Sequence, residues 1–169
     1  MNNSETSDRV ELTQSNLLDG LAGEIRSESG PGGFTKNFNE AFIDEFRRNA
    51  GVVSGELEGF QFLLLTTTGA KSGKQRTTPL AYVPLEGKIL IIASKGGALT
   101  HPAWYWNLVK HPEVHVELGG ERYQAQAIQL KGEERDRLYA EVATRIATFA
   151  EYQSRTDRVI PIFELKRLA

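Results

Sequence analysis

The 169-residue sequence contains no cysteine. That excludes disulfides, thiolate nucleophiles, zinc ribbons and iron–sulfur clusters, and it fits a reducing compartment. No stretch approaches the ~18 consecutive apolar residues of a membrane-crossing helix. The opening Met1-Asn-Asn-Ser-Glu-Thr-Ser-Asp has neither a basic start nor an apolar run. No secretory signal is therefore expected, membrane association is not expected, and the expected location is cytoplasmic. There is no GxGxxG after a strand, no GxxxxGKS/T phosphate loop, and no serine in a nucleophile-elbow context. Of the three histidines only His111 and His115 are closely spaced. Pro112 interrupts them and no acid is placed to complete a set, so no metal site is expected.

What is present is ordinary in bulk and uneven in detail. Hydrophobic residues make up 40% and charged residues 25%, values of a globular chain able to bury its own core. The net charge is −2. Between Gly59 and Pro112, however, the only acid is Glu86, against Lys71, Lys74, Arg76, Lys88, Lys95 and Lys110. A chain acidic overall has gathered its positive charge into one segment, and such a segment attracts an anion. A nucleic-acid partner is not expected, because no recognisable binding module accompanies the charge.

Residues 1–36 are polar and read as an arm, with a short helix over Thr13–Ile25; the folded domain is expected over 37–169. Phe38, Phe42, Ile43 and Phe46 form one face of a helix over Asn37–Ala50, capped by Asn37 or Asn39 and ended by Gly51. From Phe60 the period shortens to that of strands. Strands are expected over 60–68, over Gln75–Pro84 with a local break at Pro79, over Lys88–Ala93, Val114–Leu118 and Glu121–Leu130, and within Asp157–Leu168. Turns fall at Gly69–Lys74, Glu86-Gly87 and Gly119-Gly120. A short helix is expected over Pro102–Val109 and a longer one over Gly132–Ala147, with Leu138, Val142, Ile146 and Phe149 on one face. Hairpin-linked strands with a few helices fit an α+β antiparallel barrel better than an alternating parallel sheet.

Three segments carry groups suited to chemistry. Thr66–Pro79 is a glycine-containing turn with hydroxyls, amides and three cations, the set that phosphate recognition needs; a solvated hairpin turn is the plain alternative. Ala93-Ser-Lys-Gly-Gly97 leaves an apolar strand with a similar set. His101–Asn107 holds Trp104, Tyr105 and Trp106 in succession, able to wall a flat ligand or to pack a core.

These pieces, in order, resemble the deazaflavin-dependent nitroreductase family. The matching residues are Leu64–Arg76 (LLTTTGAKSGKQR) with Pro79-Leu80, Ala93–Gly97 (ASKGG), Pro102 with Trp104-Tyr105 and Asn107-Leu108, and His111-Pro112 with Val114. They continue with Tyr152-Gln153-Ser154, Thr156-Asp157-Arg158 and Ile160-Pro161. Such proteins use the 8-hydroxy-5-deazaflavin coenzyme F420 and occur mostly in mycobacteria and other actinobacteria. The resemblance implies a split antiparallel β-barrel of the FMN-binding, pyridoxamine-phosphate-oxidase-like kind. It implies an oxidoreductase that passes a hydride from reduced F420 to an electron-poor small molecule: a nitro compound, a quinone or an activated enone. A monomer or homodimer is expected.

The resemblance also implies a site. Ala70, Lys71, Ser72 and Arg76 would meet the phosphate and oligoglutamate tail, and Thr77, Thr78, Pro79, Leu80 and Ala81 the ring or its ribityl chain. Ile92, Ala93, Ser94 and Lys95 would approach from the second turn, and Ala103, Trp104, Tyr105, Trp106 and Asn107 would form a third wall. Ser94 and Tyr152 are the candidates for orienting substrate or aiding its protonation, and Phe149 and Tyr152 for touching substrate. The chain departs from the family at Ala81, Ile146 and Phe149, where a substrate pocket ringed by tyrosines would be expected. The loss of those hydroxyls weakens the case for nitroimidazoles and leaves quinones or enones. Two alternatives stand beside this reading: a non-catalytic F420 carrier, and an FMN-dependent oxidoreductase on the same barrel.

Overall fold

The computed structural model describes residues 33–52 and 61–168, with side chains from Asn39 onward. The expected helix over Thr13–Ile25 lies outside them. Seven strands form one antiparallel sheet: β1 (Phe62–Thr68), β2 (Gln75–Ala81), β3 (Val83–Leu85), β4 (Lys88–Ile92), β5 (Glu113–Leu118), β6 (Glu121–Leu130) and β7 (Ile162–Arg167). Their order across the sheet is β2-β1-β5-β6-β7-β4-β3. Among the described residues four α-helices accompany them: α1 (Gly33–Arg48), α2 (Ala103–Lys110), α3 (Gly132–Arg145) and α4 (Ala147–Ser154).

The sheet is curled into a split half-barrel, and the core shows why. Strand side chains alternate between faces. Leu63 and Leu65 of β1, Leu80 of β2, Ile91 of β4, Val116 of β5, Ala125 of β6 and Phe163 of β7 all meet in one cluster. Only a sheet rolled on itself brings one face of six strands together. Trp104 and Leu108, one helical turn apart on α2, plug this interior.

The opposite faces are covered by helices. Phe62 and Leu64 of β1 pack on Phe42 and Phe46 of α1, with Phe42 edge-on to Phe62 at 5.3 Å between ring centres. Phe42 and Phe46 of the phenylalanine stripe are therefore core. Leu90, Ile92, Leu130 and Ile162 pack on Leu138 and Val142 of α3 and on Phe149 and Tyr152 of α4. Burial of such side chains contributes about 1.5–3 kcal/mol each.

Several local expectations are corrected. Helix α1 begins at Gly33, so Asn37 and Asn39 lie inside it rather than at its cap. Its end is as expected: Gly51, at φ +87°, donates its N–H to the Phe46 carbonyl at 2.8 Å. Pro79 does not break its strand. It pairs with Leu64 within β2, and the interruption falls at Tyr82, between β2 and β3. Because β2 is an edge strand, a residue without an N–H is tolerated there. Helix α4 was not expected, and the last strand begins only at Ile162. No described helix is long and apolar enough to cross a membrane.

Candidate functional site

The β1–β2 hairpin places the Gly69–Lys74 turn, the first segment that the sequence offered for an anion, at one end of the barrel. Gly69 donates to the Lys74 carbonyl (2.8 Å) and Gly73 to that of Gly69 (3.0 Å), while Lys74 N–H meets Ser72 Oγ (3.1 Å). Lys71, Ser72 and Arg76 are exposed. Helix α2 holds the turn from behind. Asn107 accepts the Ala70 N–H through Oδ1 (2.9 Å) and donates through Nδ2 to Thr67 Oγ1 (3.1 Å); Lys110 Nζ donates to the Ala70 carbonyl (2.8 Å). Asn107 thus positions the turn from behind. Thr77 is half-buried and shares a 2.8 Å hydroxyl contact with Thr66, and Thr78 and Pro79 are buried in β2.

The second turn leaves β4 as Ala93-Ser-Lys-Gly-Gly. Ala93 is buried, Ser94 is 6% exposed, and Lys95 donates from Nζ to Thr100 Oγ1 at 3.2 Å. Arg158 binds this turn and also donates from Nη1 to His101 Nδ1 at 3.0 Å. A guanidinium only donates, so Nδ1 is the unprotonated nitrogen of a neutral imidazole. His101 in turn stacks on Tyr105, with ring centres 4.0 Å apart. Both turns are thereby tied to α2, the first by Asn107 and Lys110 and the second through His101.

Burial, and then the positive charge of Arg158, hold the His101 pKa below its usual value of 6.5. Below that value the unfolded chain binds a proton that the folded chain resists. Stability should therefore fall as pH drops from about 6.5 toward the folded-state pKa, and change no further from this source below it. Thermal unfolding scans between pH 5 and 8 test this: His101→Gln should flatten that part of the curve, and an identical slope in the variant would refute the assignment.

Beside the second turn, at the seam of the curled sheet, lies a small cleft partly open to solvent. Leu80 and Ala81 of β2, Ile91 and Ile92 of β4, Ser94, and Phe149 and Tyr152 of α4 line it. Strands β2 and β4 are not hydrogen-bonded neighbours, so curling of the sheet is what brings them together. Ser94 and Tyr152 supply the hydroxyls of an otherwise apolar lining. Tyr139, on α3 beneath α4, donates its hydroxyl to the Phe149 carbonyl at 2.6 Å, and burial pushes its pKa up to about 12. It acts as a neutral strut at any ordinary pH.

The structure thus gathers Leu80, Ala81, Ile92, Ser94, Phe149 and Tyr152 into one cleft. It does not bring the expected third wall there. Trp104 is 4% exposed inside the barrel, edge-on to Phe163, because its position faces the sheet. Ala103 and Trp106 lie on the exposed side of α2, and Tyr105 is half-buried beneath His101. The sequence reading missed Ile91 of the lining. It also missed Arg158, Gln153 and Lys110, whose charge or polarity reads as surface. The ordered segment Tyr152–Arg158 was the available signal for the first two.

Residues 40–167 match the family described as F420H(2)-dependent quinone reductase. An F420H(2)-dependent quinone reductase of Mycobacterium tuberculosis is 42% identical over 108 residues, 62% of this chain and 72% of the relative. A putative F420H(2)-dependent quinone reductase of the same species is 35% identical over 104 residues, covering 62% and 87%. Among solved structures, an F420-H2 dependent reductase aligns with a TM-score of 0.57 at 43% identity, covering 63% of this chain and 94% of that one. A second, described as a domain-swapped dimer, aligns with a TM-score of 0.59 at 37% identity, covering 78% and 98%.

Proposed function

The chain belongs to the F420H(2)-dependent quinone reductase family, and on that premise we propose how its residues serve an F420-dependent reductase acting on quinone-like substrates. The observation that carries the reading is an apolar cleft at the barrel seam beside the Ser94–Lys95 turn, on a chain whose β1–β2 hairpin turn exposes Lys71, Lys74 and Arg76. The donor set fits the coenzyme. Lys71, Ser72, Lys74 and Arg76 present charge and hydrogen-bond donors to a polyanionic tail. Ser94, at the cleft, and Lys95 beside it add a hydroxyl and a further cation. When bound, the reduced deazaflavin supplies a hydride, and a quinone needs that hydride and one proton to become a hydroquinone.

The protein's part is to orient, to exclude water and to manage the proton. Leu80, Ile91, Ile92 and Phe149 give a flat apolar molecule a dry surface. Ser94 and Tyr152 are the groups placed to hold a quinone oxygen and to hand it, or relay to it, a proton. Ala81 and Phe149 offer no hydroxyl, which favours a quinone over a nitro group. The FMN alternative receives no support from the relatives. A homodimer is supported by the solved relative described as a domain-swapped dimer. A division near residue 36 into an arm and a barrel domain is supported by a family match that starts at residue 40, although α1 already begins at Gly33.

The test is a fluorescence titration with F420, with FMN as control, followed by reduction of menadione by the reduced coenzyme. Micromolar or tighter F420 binding, much weaker FMN binding and menadione turnover are expected. Binding without turnover would leave a carrier; no F420 binding would sink the reading.

A further inference from the structure

The second turn has an unusual backbone. Ser94 is right-handed (φ −76°, ψ −39°), and Lys95, Gly96 and Gly97 then follow with φ of 48°, 63° and 81°. Glycine adopts such angles freely, whereas Lys95 has a Cβ that crowds the backbone there. A right-handed residue followed by a left-handed one points successive N–H groups to the same side and makes a concavity for an anion. Something must hold this shape, and the holding groups lie on the carbonyl side. Arg158 donates from Nη1 to the Ala93 carbonyl (3.1 Å), from Nη2 to that of Ser94 (2.7 Å) and from Nε to that of Ala98 (2.8 Å). Arg155 Nη1 takes the Gly96 carbonyl at 3.2 Å. Two guanidinium groups thus bind four carbonyls of one turn.

Arg158 is itself fixed. Its N–H meets Thr156 Oγ1 at 3.2 Å, and its carbonyl accepts from Gln153 Nε2 at 2.8 Å. Gln153 Oε1 also accepts from Arg135 Nη2 (2.7 Å) and from the Ile160 N–H (3.2 Å). A chain of hydrogen bonds therefore runs from α3 through α4 to the turn.

We infer that Arg158 is a positioning residue of the cofactor site. It holds the Ser94–Gly97 turn in its strained shape, so that its peptide N–H groups other than that of Gly97, which donates to the Ser94 carbonyl at 2.9 Å, are presented to an anionic part of the coenzyme. The inference rests on the reading of that turn as coenzyme-facing. Lysine cannot replace the arginine, because a single ammonium does not reproduce a planar fork reaching three carbonyls.

Arg158→Lys is the test, read in two ways. Without coenzyme, amide hydrogen exchange over residues 93–98 should be about tenfold faster, since the clamp no longer opposes opening. With F420, the dissociation constant should rise by about tenfold, while the menadione KM at saturating F420 stays unchanged. A residue that merely stabilised the fold would lower the melting temperature without moving the dissociation constant well below it. Lys95→Gly gives the second arm, because glycine accepts the left-handed backbone without the clamp. In that background Arg158→Lys should weaken F420 binding by less than about threefold.

Equal losses in both backgrounds, or exchange and binding unchanged in Arg158→Lys, would overturn the inference. Should Arg158→Lys fail to fold by near-ultraviolet circular dichroism, His101→Phe replaces it. That change removes one acceptor of the guanidinium and keeps the stack on Tyr105. A smaller but measurable acceleration of exchange over 93–98 supports the inference, and none overturns it. Failure of the unsubstituted protein to bind F420 overturns the functional reading and this role together. Normal binding by it, with Arg158→Lys unchanged, overturns this role alone.

Discussion

Replacing Lys71, Lys74 and Arg76 together by glutamine is expected to weaken F420 binding on the order of a hundredfold at low salt, about 1 kcal/mol for each charge. The three side chains are exposed, and among the described residues no carboxylate lies within ion-pairing distance of them. Among the described residues their charge is therefore unpaired, in contrast to Arg47, whose guanidinium meets both Glu117 oxygens at 2.9 Å. Exposed unpaired cations contribute little to folding. The melting temperature should stay within a degree or two while affinity collapses. Because the attraction is screened, raising salt should weaken the unsubstituted protein far more than the variant. Titrations at two salt concentrations decide it: a variant binding within threefold of the parent, or an unchanged salt dependence, would move the coenzyme tail away from this turn.

The parts of the fold readable in the sequence were those governed by period. The alternation in Val114–Leu118 with the Gly119-Gly120 turn marked Glu121–Leu130 as its hairpin partner, which is β6 to the residue, and Phe42 with Phe46 marked the buried face of α1. Helix α4 was not readable for a physical reason. Ala147–Ser154 (ATFAEYQS) carries no regular apolar stripe, and the polar side chain of Gln153 anchors it. Hydropathy patterns do not register such an anchor. The same holds for Arg158, a charged residue that reads as surface and instead lies half-buried among carbonyls. Trp104 was misplaced because three consecutive aromatics look like one feature. On a helix they diverge by about 100° per residue, so Trp104 goes inward with Leu108 while Trp106 goes out.

Charge separation along the chain points to the segment from Gly59 to Pro112, which contains both proposed coenzyme-facing turns. What it could not find is the seam. That Leu80 and Ile92 line one cleft follows from the strand order, with β2 and β4 near opposite ends of a curled sheet. Neither residue looks different in sequence from other core aliphatics. Residues are assigned to such a cleft by closure of the barrel, a property of all seven strands together.

A large loss from a single methyl group is expected at Gly97. A Cβ there would lie 2.6 Å from the Tyr152 carbonyl oxygen, 3.0 Å from Arg155 Cβ and 3.1 Å from Tyr152 Cα. The first and last of these are backbone-bound atoms of α4 and cannot swing away. The residue also sits at φ +81°, where a side chain is strained. Gly97→Ala should therefore cost about 3 kcal/mol or more, of which only about 1 kcal/mol is backbone strain. For a chain of this size that corresponds to a melting temperature lower by roughly 6–12 °C. Gly73 separates the two causes, since it has a similar φ of +70° but nothing within 4 Å of the added carbon. Gly73→Ala should lose only about 1 kcal/mol. Function should divide in the same way. Relief of the Gly97 clash moves α4 outward, and α4 carries Phe149 and Tyr152 into the cleft. Menadione turnover should fall in Gly97→Ala well below its melting temperature and persist in Gly73→Ala. Equal destabilisation by the two substitutions would show that strain alone matters and that the second turn does not seat α4.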